Sequence, residues 1–250
     1  MDIKEFDTLM PLNRRHFWEQ AKTTFFGNIL KRYVPNATKV GDVGCGDGVT
    51  LEKLVELYPK SLICGFDPEL SDELAAQINA RFSAANIQVS SDPKEFVTSG
   101  KYDLILMLDV IEHIPDAEKF LLESKQNLSS GGSLLVSVPA YQALYSGHDR
   151  WLGHVKRYQR KELVTLLQNS GFEIQESGYL FFSLLLPRLI QKIFFDSKDD
   201  SKRKNLNETN NVFNKLALKV LLADVQLGLL CRKLKIQLSG LSCFAICRKL

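Results

Sequence analysis

The chain lacks the usual marks of a secreted, membrane-spanning or metal-stapled protein. Its five cysteines (Cys45, Cys64, Cys231, Cys243 and Cys247) are odd in number and contain no C-x-x-C pair. That gives no metal signal and fits a reducing compartment. Met1-Asp2-Ile3-Lys4-Glu5 has no apolar core of the kind that drives secretion. No uninterrupted apolar run reaches membrane-spanning length; Tyr179–Leu186 comes nearest, and Pro187-Arg188 interrupts it. Internal repeats are also missing. A cytoplasmic chain is expected.

What is present is enough apolar material for one sizeable core: 250 residues, 45% hydrophobic. The net charge of +3 is unevenly spread. From Val212 onward seven bases face one acid, Asp224, so this tail carries +6 and residues 1–211 carry −3. The tail suits either a solvated helix face or a surface for an acidic partner such as anionic lipid.

Periodicity predicts a helix over 12–33, ended by Pro35-Asn36. Strands are expected at 38–43, 61–66, 86–90, 102–108, 133–138 and near 172–180. Helices fall between them at 49–58, 70–82, 93–98, 116–128 and 160–170, and Gly131-Gly132 forms the turn into the fifth strand. Such alternation predicts βαβ units, a doubly wound α/β sheet with helices on both faces. Leu104-Ile105-Leu106-Met107-Leu108 is apolar without alternation, as a strand covered on both faces should be. Past Phe182 the regularity breaks. Leu184–Phe195 is apolar with scattered bases, Asp196–Asn211 reads as a polar mobile loop, 212–233 as an amphipathic helix and Gly240–Cys247 as a last strand. The chain thus divides into an N-terminal cap (1–36), a core (37–182), a helical insertion (183–238) and a closing strand (239–250), all in a single domain.

The most informative stretch is Lys39-Val40-Gly41-Asp42-Val43-Gly44-Cys45-Gly46-Asp47-Gly48. A short apolar strand leads to an acid and then to glycines at every second position, before a helix pattern begins. Glycines there let a ligand press on the backbone and permit positive φ. The spacing is G-x-G-x-G; the dinucleotide fingerprint needs a glycine at position 49, which is Val49. Asp42 would repel a pyrophosphate and suits an amine-bearing ligand. Asp67 ends the second strand, where an acid can take both hydroxyls of a ribose. Asp92 precedes Pro93 and reads as a helix N-cap.

The glycine stretch resembles motif I of the class I S-adenosylmethionine (SAM) methyltransferases. Asp109-Val110-Ile111-Glu112-His113-Ile114 resembles the V-L-E-H-[VI] segment of small-molecule members, ubiquinone-pathway O-methyltransferases among them. Val138–Tyr158 resembles a P-A…S-x-H-D…G-H-x-R-R-Y block found with lipid and glycan biosynthesis, with Lys156 where arginine is common. Arg14-Arg15-His16-Phe17-Trp18 resembles an H-x-W segment that caps the cofactor cleft. The resemblance covers roughly residues 12–180 and implies a seven-stranded sheet with the last strand antiparallel. It implies SAM as cofactor and S-adenosylhomocysteine (SAH) as product. The implied binding residues are Asp42, Gly44, Cys45, Gly46, Gly48, Asp67, Pro68, Asp92 (toward the adenine amine), Pro93, Leu108, Asp109 and Val110. His113, His148 and His154 become candidate bases, their ordinary pKa lying near neutrality. The spacing of His148 and His154 matches no zinc motif, so no metal is expected. A small-molecule or lipid-linked acceptor is expected, with O-methylation favoured, no nucleic acid, and contact of 183–238 with a membrane surface or a lid role there. The oligomeric state is not legible. The rival readings are an NAD(P)-dependent oxidoreductase, which Val49 opposes, and a SAM-binding protein without turnover, which the intact glycines and both acids oppose.

Overall fold

The computed structural model describes residues 9–195, 211–234 and 236–250. Met1–Glu5, Lys235 and most of the polar stretch Asp196–Asn211 lie outside the described residues.

Five strands alternate with helices in the first two-thirds of the chain: β1 (Lys39–Val43), β2 (Leu62–Phe66), β3 (Ile87–Ser90), β4 (Tyr102–Leu108) and β5 (Leu128–Pro139). Preceding or linking them are α1 (Phe17–Tyr33), α2 (Val49–Leu57), α3 (Asp72–Arg81), α4 (Pro93–Thr98) and α5 (Ala117–Gln126). Then come α6 (Gly147–Leu152), α7 (Arg160–Asn169), β6 (Phe172–Leu180), α8 (Leu185–Phe195), α9 (Asn211–Lys233) and β7 (Ser242–Lys249). The sheet order is β3-β2-β1-β4-β5-β7-β6. Pairings from β3 through β5 are parallel, whereas β7 runs antiparallel between β5 and β6.

The two sheet faces bury separate cores, and β4 shows why its sequence carries no alternation. Leu104, Leu106 and Leu108 join Phe25 and Ile29 of α1, Leu51 and Leu54 of α2 and Leu221 of α9. Ile105 and Met107 point the other way, toward Phe96 of α4, Leu121 of α5 and Leu163 of α7. Each central residue is removed from water, at roughly 1.5–3 kcal/mol per large apolar side chain. The direction of winding reverses between β1 and β4, which opens a crevice beyond their carboxyl ends.

Two local expectations need correction, and two further features emerge. The N-terminal helix is broken: Leu12–Arg14 is a 3-10 turn, and His16 starts α1 anew, its Nδ1 accepting from the Trp18 amide at 3.4 Å. Gly131-Gly132 is no turn between elements but lies inside β5, which begins at Leu128 and is irregular opposite Tyr102 and Leu104. Residues 139–158 contain α6, stopped by Gly153 at φ +79°. Cys45 belongs to the glycine turn and not to a strand, although it is buried like Cys64, Cys243 and Cys247.

Candidate active site

Beyond Val43 the chain passes through Gly44 (φ +74°), Gly46 (φ +55°) and Gly48 (φ +83°) into α2. All three occupy the left-handed region that a side chain resists. A Cβ on Gly44 would sit 2.6 Å from Cγ2 of Val110, so the turn is pressed against the segment that follows β4. Asp67 buttresses the turn from β2. Its Oδ2 accepts from the Gly46 amide and its Oδ1 from the Glu69 amide, both at 2.9 Å. Each oxygen retains a lone pair for a further donor.

Asp42 is buried beneath this turn, and its Oδ2 has no hydrogen-bond partner among the described residues. Burial, with the charge of Asp67 adding, pushes its carboxyl up to about 7. An orphaned carboxylate is costly in a protein interior, and a cationic guest would relieve it.

The N-terminal segment closes over the turn with ion pairs that sequence patterning did not reveal. Arg15 pairs with Asp47 and lies 3.7 Å from Glu19, and the Leu9 amide donates to Asp47 Oδ2 at 2.8 Å. Burial pushes the Glu19 carboxyl up to about 7, against the opposing pull of Arg15. Lys22, buried on α1, pairs with Asp109. Asp109 stands in a left-handed conformation at φ +58° and also accepts from Ser137 Oγ at 3.1 Å. Burial opposes its charge, but Lys22 outweighs it and holds the carboxyl below the usual range. Leu108 is buried and Val110 half-buried, beside the glycine turn.

Asp92 caps α4, its Oδ1 accepting from the Lys94 amide at 2.8 Å, with Pro93 as first helical residue. Asp92 and Pro93 are exposed at the rim, as is Pro68. Cys45 turns its thiol inward, where burial raises its pKa well above normal. It can line the crevice only by backbone.

A second group lies at the ends of β4 and β5. Asp149 is completely buried and ties together an entire loop. Its Oδ2 accepts from the Ser146 amide at 2.9 Å, while Oδ1 lies 2.9 Å from His154 Nδ1 and accepts from Arg157 Nε at 2.7 Å. Burial opposes ionisation here, yet the bonds from His154 and Arg157 prevail and hold the carboxyl far below its ordinary value. An ionised Asp149 only accepts, so Nδ1 of His154 must carry the proton and Nε2 keeps its lone pair when the ring is neutral. That ring meets His113 edge-on, with centroids 4.8 Å apart. Val155 N donates to Glu112 O at 2.7 Å, and Tyr158 OH to Ile111 O at 3.2 Å, which locks the loop onto the segment after β4.

Glu112 lies in the same place, fully buried, with both carboxylate oxygens lacking a partner among the described residues. Burial, and next the charge of Asp109, raise its carboxyl well above the usual value. Ligating atoms of Glu112, His113 and His154 lie within 4.8 Å of one another. His148 is not one of this group; it stacks on Trp151 at 5.9 Å. The structure therefore joins His113 with His154, while His148 stacks on Trp151.

The insertion is fastened to that loop. Arg188 donates to Ser146 Oγ at 2.8 Å and Lys192 to the carbonyl of Tyr145 at 2.6 Å. Both of these bases turn toward the loop. Arg232 also points in, 2.9 Å from Glu176 and beside the rings of Phe25 and Phe244.

Comparison with known proteins supplies the family. A family model described as a methyltransferase domain matches residues 13–177. A probable S-adenosylmethionine-dependent methyltransferase of Mycolicibacterium smegmatis is 23% identical over 184 residues, covering 73% of this chain and 69% of that protein. A tRNA U34 carboxymethyltransferase of Campylobacter fetus is 36% identical over 102 residues, covering 39% and 35%. A ubiquinone biosynthesis O-methyltransferase of Rhizobium etli is 26% identical over 162 residues, covering 59% and 64%. The chain therefore spans about a third to two-thirds of the length of these last two. Among solved structures, the N-methyltransferase NodS of Bradyrhizobium japonicum, determined with SAH, shares the fold at TM-score 0.54 and 15% identity, covering 93% of this chain and 87% of that one.

Proposed function

This chain belongs to the methyltransferase-domain family and is a SAM-dependent enzyme; on that premise we propose that it methylates a hydroxyl group of a small or lipid-linked acceptor. The observation that carries the proposal is the Asp149-held His154 beside His113 and the buried Glu112. Basic and carboxylate groups converge there at the ends of β4 and β5, and a hydroxyl acceptor must lose a proton whereas an amine can react through its own lone pair.

SAM, when bound, supplies a methyl group already activated on a sulfonium. The residues present fit such a guest. Asp42 offers its orphaned oxygen to the ammonium, and Asp67 offers spare lone pairs to the ribose hydroxyls. Gly44, Gly46 and Gly48, with the backbone of Cys45, keep the turn free of side chains that would exclude it. Leu108, Asp109 and Val110 line the far end. Lys22 neutralises Asp109, so that carboxylate orients the segment and leaves the ammonium to Asp42. Asp92, Pro68 and Pro93 form the adenine rim, where Asp92 keeps one oxygen beyond its helix cap. His154 is the candidate base with the clearest support; His113 neighbours it, whereas His148 stacks on Trp151.

Asp42 gives a pH test. Its free carboxyl titrates at about 7, and an ammonium beside it favours the ionised form, so the complex holds fewer protons than the free protein. SAH affinity should rise from about pH 5 toward 7, by at most roughly tenfold per unit, and flatten above. Calorimetry across this range checks it, and Asp42→Asn should level the profile. Affinity that falls with rising pH in the wild type would contradict the role.

A lipid-linked acceptor is supported by the surface of the insertion. Leu186, Leu189 and Ile190 of α8, with Phe213, Leu216, Val220, Leu227 and Leu230 of α9, are exposed large apolar side chains. Lys215, Lys219 and Lys233 are exposed alongside, while Asp224, the only acid of α9, is buried against the Ser183 amide. No described helix is long and apolar enough to cross a membrane. The protein should co-float with anionic vesicles at low salt, less with neutral ones, and lose binding in high salt. Failure to float with either would leave α8 and α9 as a lid alone.

A further inference from the structure

We propose that Glu112, His113 and His154 form a binding site for a divalent first-row cation, held in shape by Asp149. This rests on the hydroxyl-acceptor reading above and changes one role in it: with an ion bound, the Nε2 lone pair of His154 goes to the cation and water takes the acceptor's proton. The site itself stands or fails on cation binding alone. Three observations converge on it. First, ligating atoms of the three side chains lie within 4.8 Å of one another, close enough for small rotations to bring them onto one ion. Second, Glu112 is fully buried and neither carboxylate oxygen has a partner among the described residues. A buried orphan of this kind calls for a missing ligand, and packing alone does not explain why the chain keeps a carboxylate there.

Third, His154 is already oriented as a metal-binding histidine would be. Its Nδ1 is engaged by Asp149 at 2.9 Å, which leaves Nε2 for a ligand. Carboxylate–histidine pairs of this form fix the ring and raise its basicity in metal sites. Asp149 is fixed in turn by Arg157 and by the Ser146 amide. It is thus a positioning residue.

Two imidazoles and one carboxylate form a mixed nitrogen and oxygen set that suits zinc, manganese, iron(II) or cobalt(II) better than calcium. Three protein ligands leave positions open, the pattern of a catalytic and not a structural centre. An acceptor hydroxyl oxygen could take one of them. The O–H bond then breaks, its electron pair stays on oxygen beside the cation, and the proton passes to water. No redox change is involved. The segment Ile111–His113 and the α6 loop are far apart in sequence, so neither alone shows the site.

The test uses the full chain, freed of metal by a chelator and titrated with cobalt(II), followed by visible absorption and calorimetry. One ion should bind per chain, with a ligand-field spectrum of nitrogen and oxygen ligands. His154→Ala and Glu112→Gln should each weaken it at least about tenfold, and Asp149→Asn about 10–100-fold. Circular dichroism and SAH binding in the presence of chelator show whether each variant is folded. Absence of stoichiometric binding by the wild type, a thiolate charge-transfer band placing the ion on cysteine, or unchanged affinity in folded His154→Ala would each overturn the site. SAH binding that persists without metal keeps the methyltransferase reading intact whichever way the titration falls.

Discussion

Gly46→Val should lose measurable SAH binding, a drop of about 100-fold or more (about 3 kcal/mol), while the protein remains folded. Gly46 sits at φ +55°, where a β-branched residue is strongly disfavoured. Its amide is also the donor to Asp67 Oδ2, so a rearranged turn moves the carboxylate assigned to the ribose. Two features of the site therefore fail together. Strain of this kind is also felt by the free protein, on the order of 1–3 kcal/mol. Thermal unfolding of the variant must accordingly be recorded beside calorimetry. A folded variant with wild-type affinity would remove the glycine turn from the binding site.

The second large effect concerns the acceptor end. His154→Ala should lower turnover by roughly 10²–10⁴-fold, the range of a lost acid–base function, whether the ring takes the acceptor's proton or holds the ion that acidifies it, with SAH affinity unchanged. The measurement is methyl transfer to an acceptor found by screening hydroxylated metabolites, with cofactor affinity measured in parallel. Asp149→Asn should fall in the same direction, because it presents the wrong partner to His154 Nδ1. Full turnover in folded His154→Ala would show that the ring takes no part. Loss of SAH binding in that variant would instead mean that this end of the crevice also shapes the cofactor pocket.

Most of the sheet was legible because its signals are local. An unbroken apolar run such as Leu104–Leu108 admits few alternatives once both its faces are covered, and Pro93 fixes the start of α4 to the residue. Glycines at positions 44, 46 and 48 announce positive φ, and all three adopt it. The site was less legible because its decisive contacts are long-range. Lys22 lies 87 residues from Asp109, and Arg15 lies 32 from Asp47. A signal for Lys22 did exist: it shares a helix face with Trp18, Phe25 and Ile29, where a solitary base implies a buried partner.

His148 and His154 looked like a pair because they are six residues apart. The end of α6 at Gly153 separates them, sending His154 back to Asp149 and His113 while His148 stacks on Trp151. The E-H segment places Glu112 and His113 at the crevice or as its brace, but an E-H dipeptide does not state which of the two is buried; here it is Glu112. Arg188 and Lys192 misled in the opposite sense. They stand among the apolar residues of Leu184–Phe195, but Arg188 donates to Ser146 Oγ and Lys192 to the Tyr145 carbonyl.

The central claim is that the crevice bounded by Asp42, the glycine turn and Asp67 is a SAM site. Calorimetric titration of the full chain with SAH, and with NADH as the comparison, tests it most directly. The account predicts one SAH per chain, weakened by about 1–3 kcal/mol in Asp67→Ala through lost hydrogen bonds, and no heat from NADH. Stoichiometric NADH binding without SAH binding, or SAH affinity indifferent to Asp67→Ala, would contradict it.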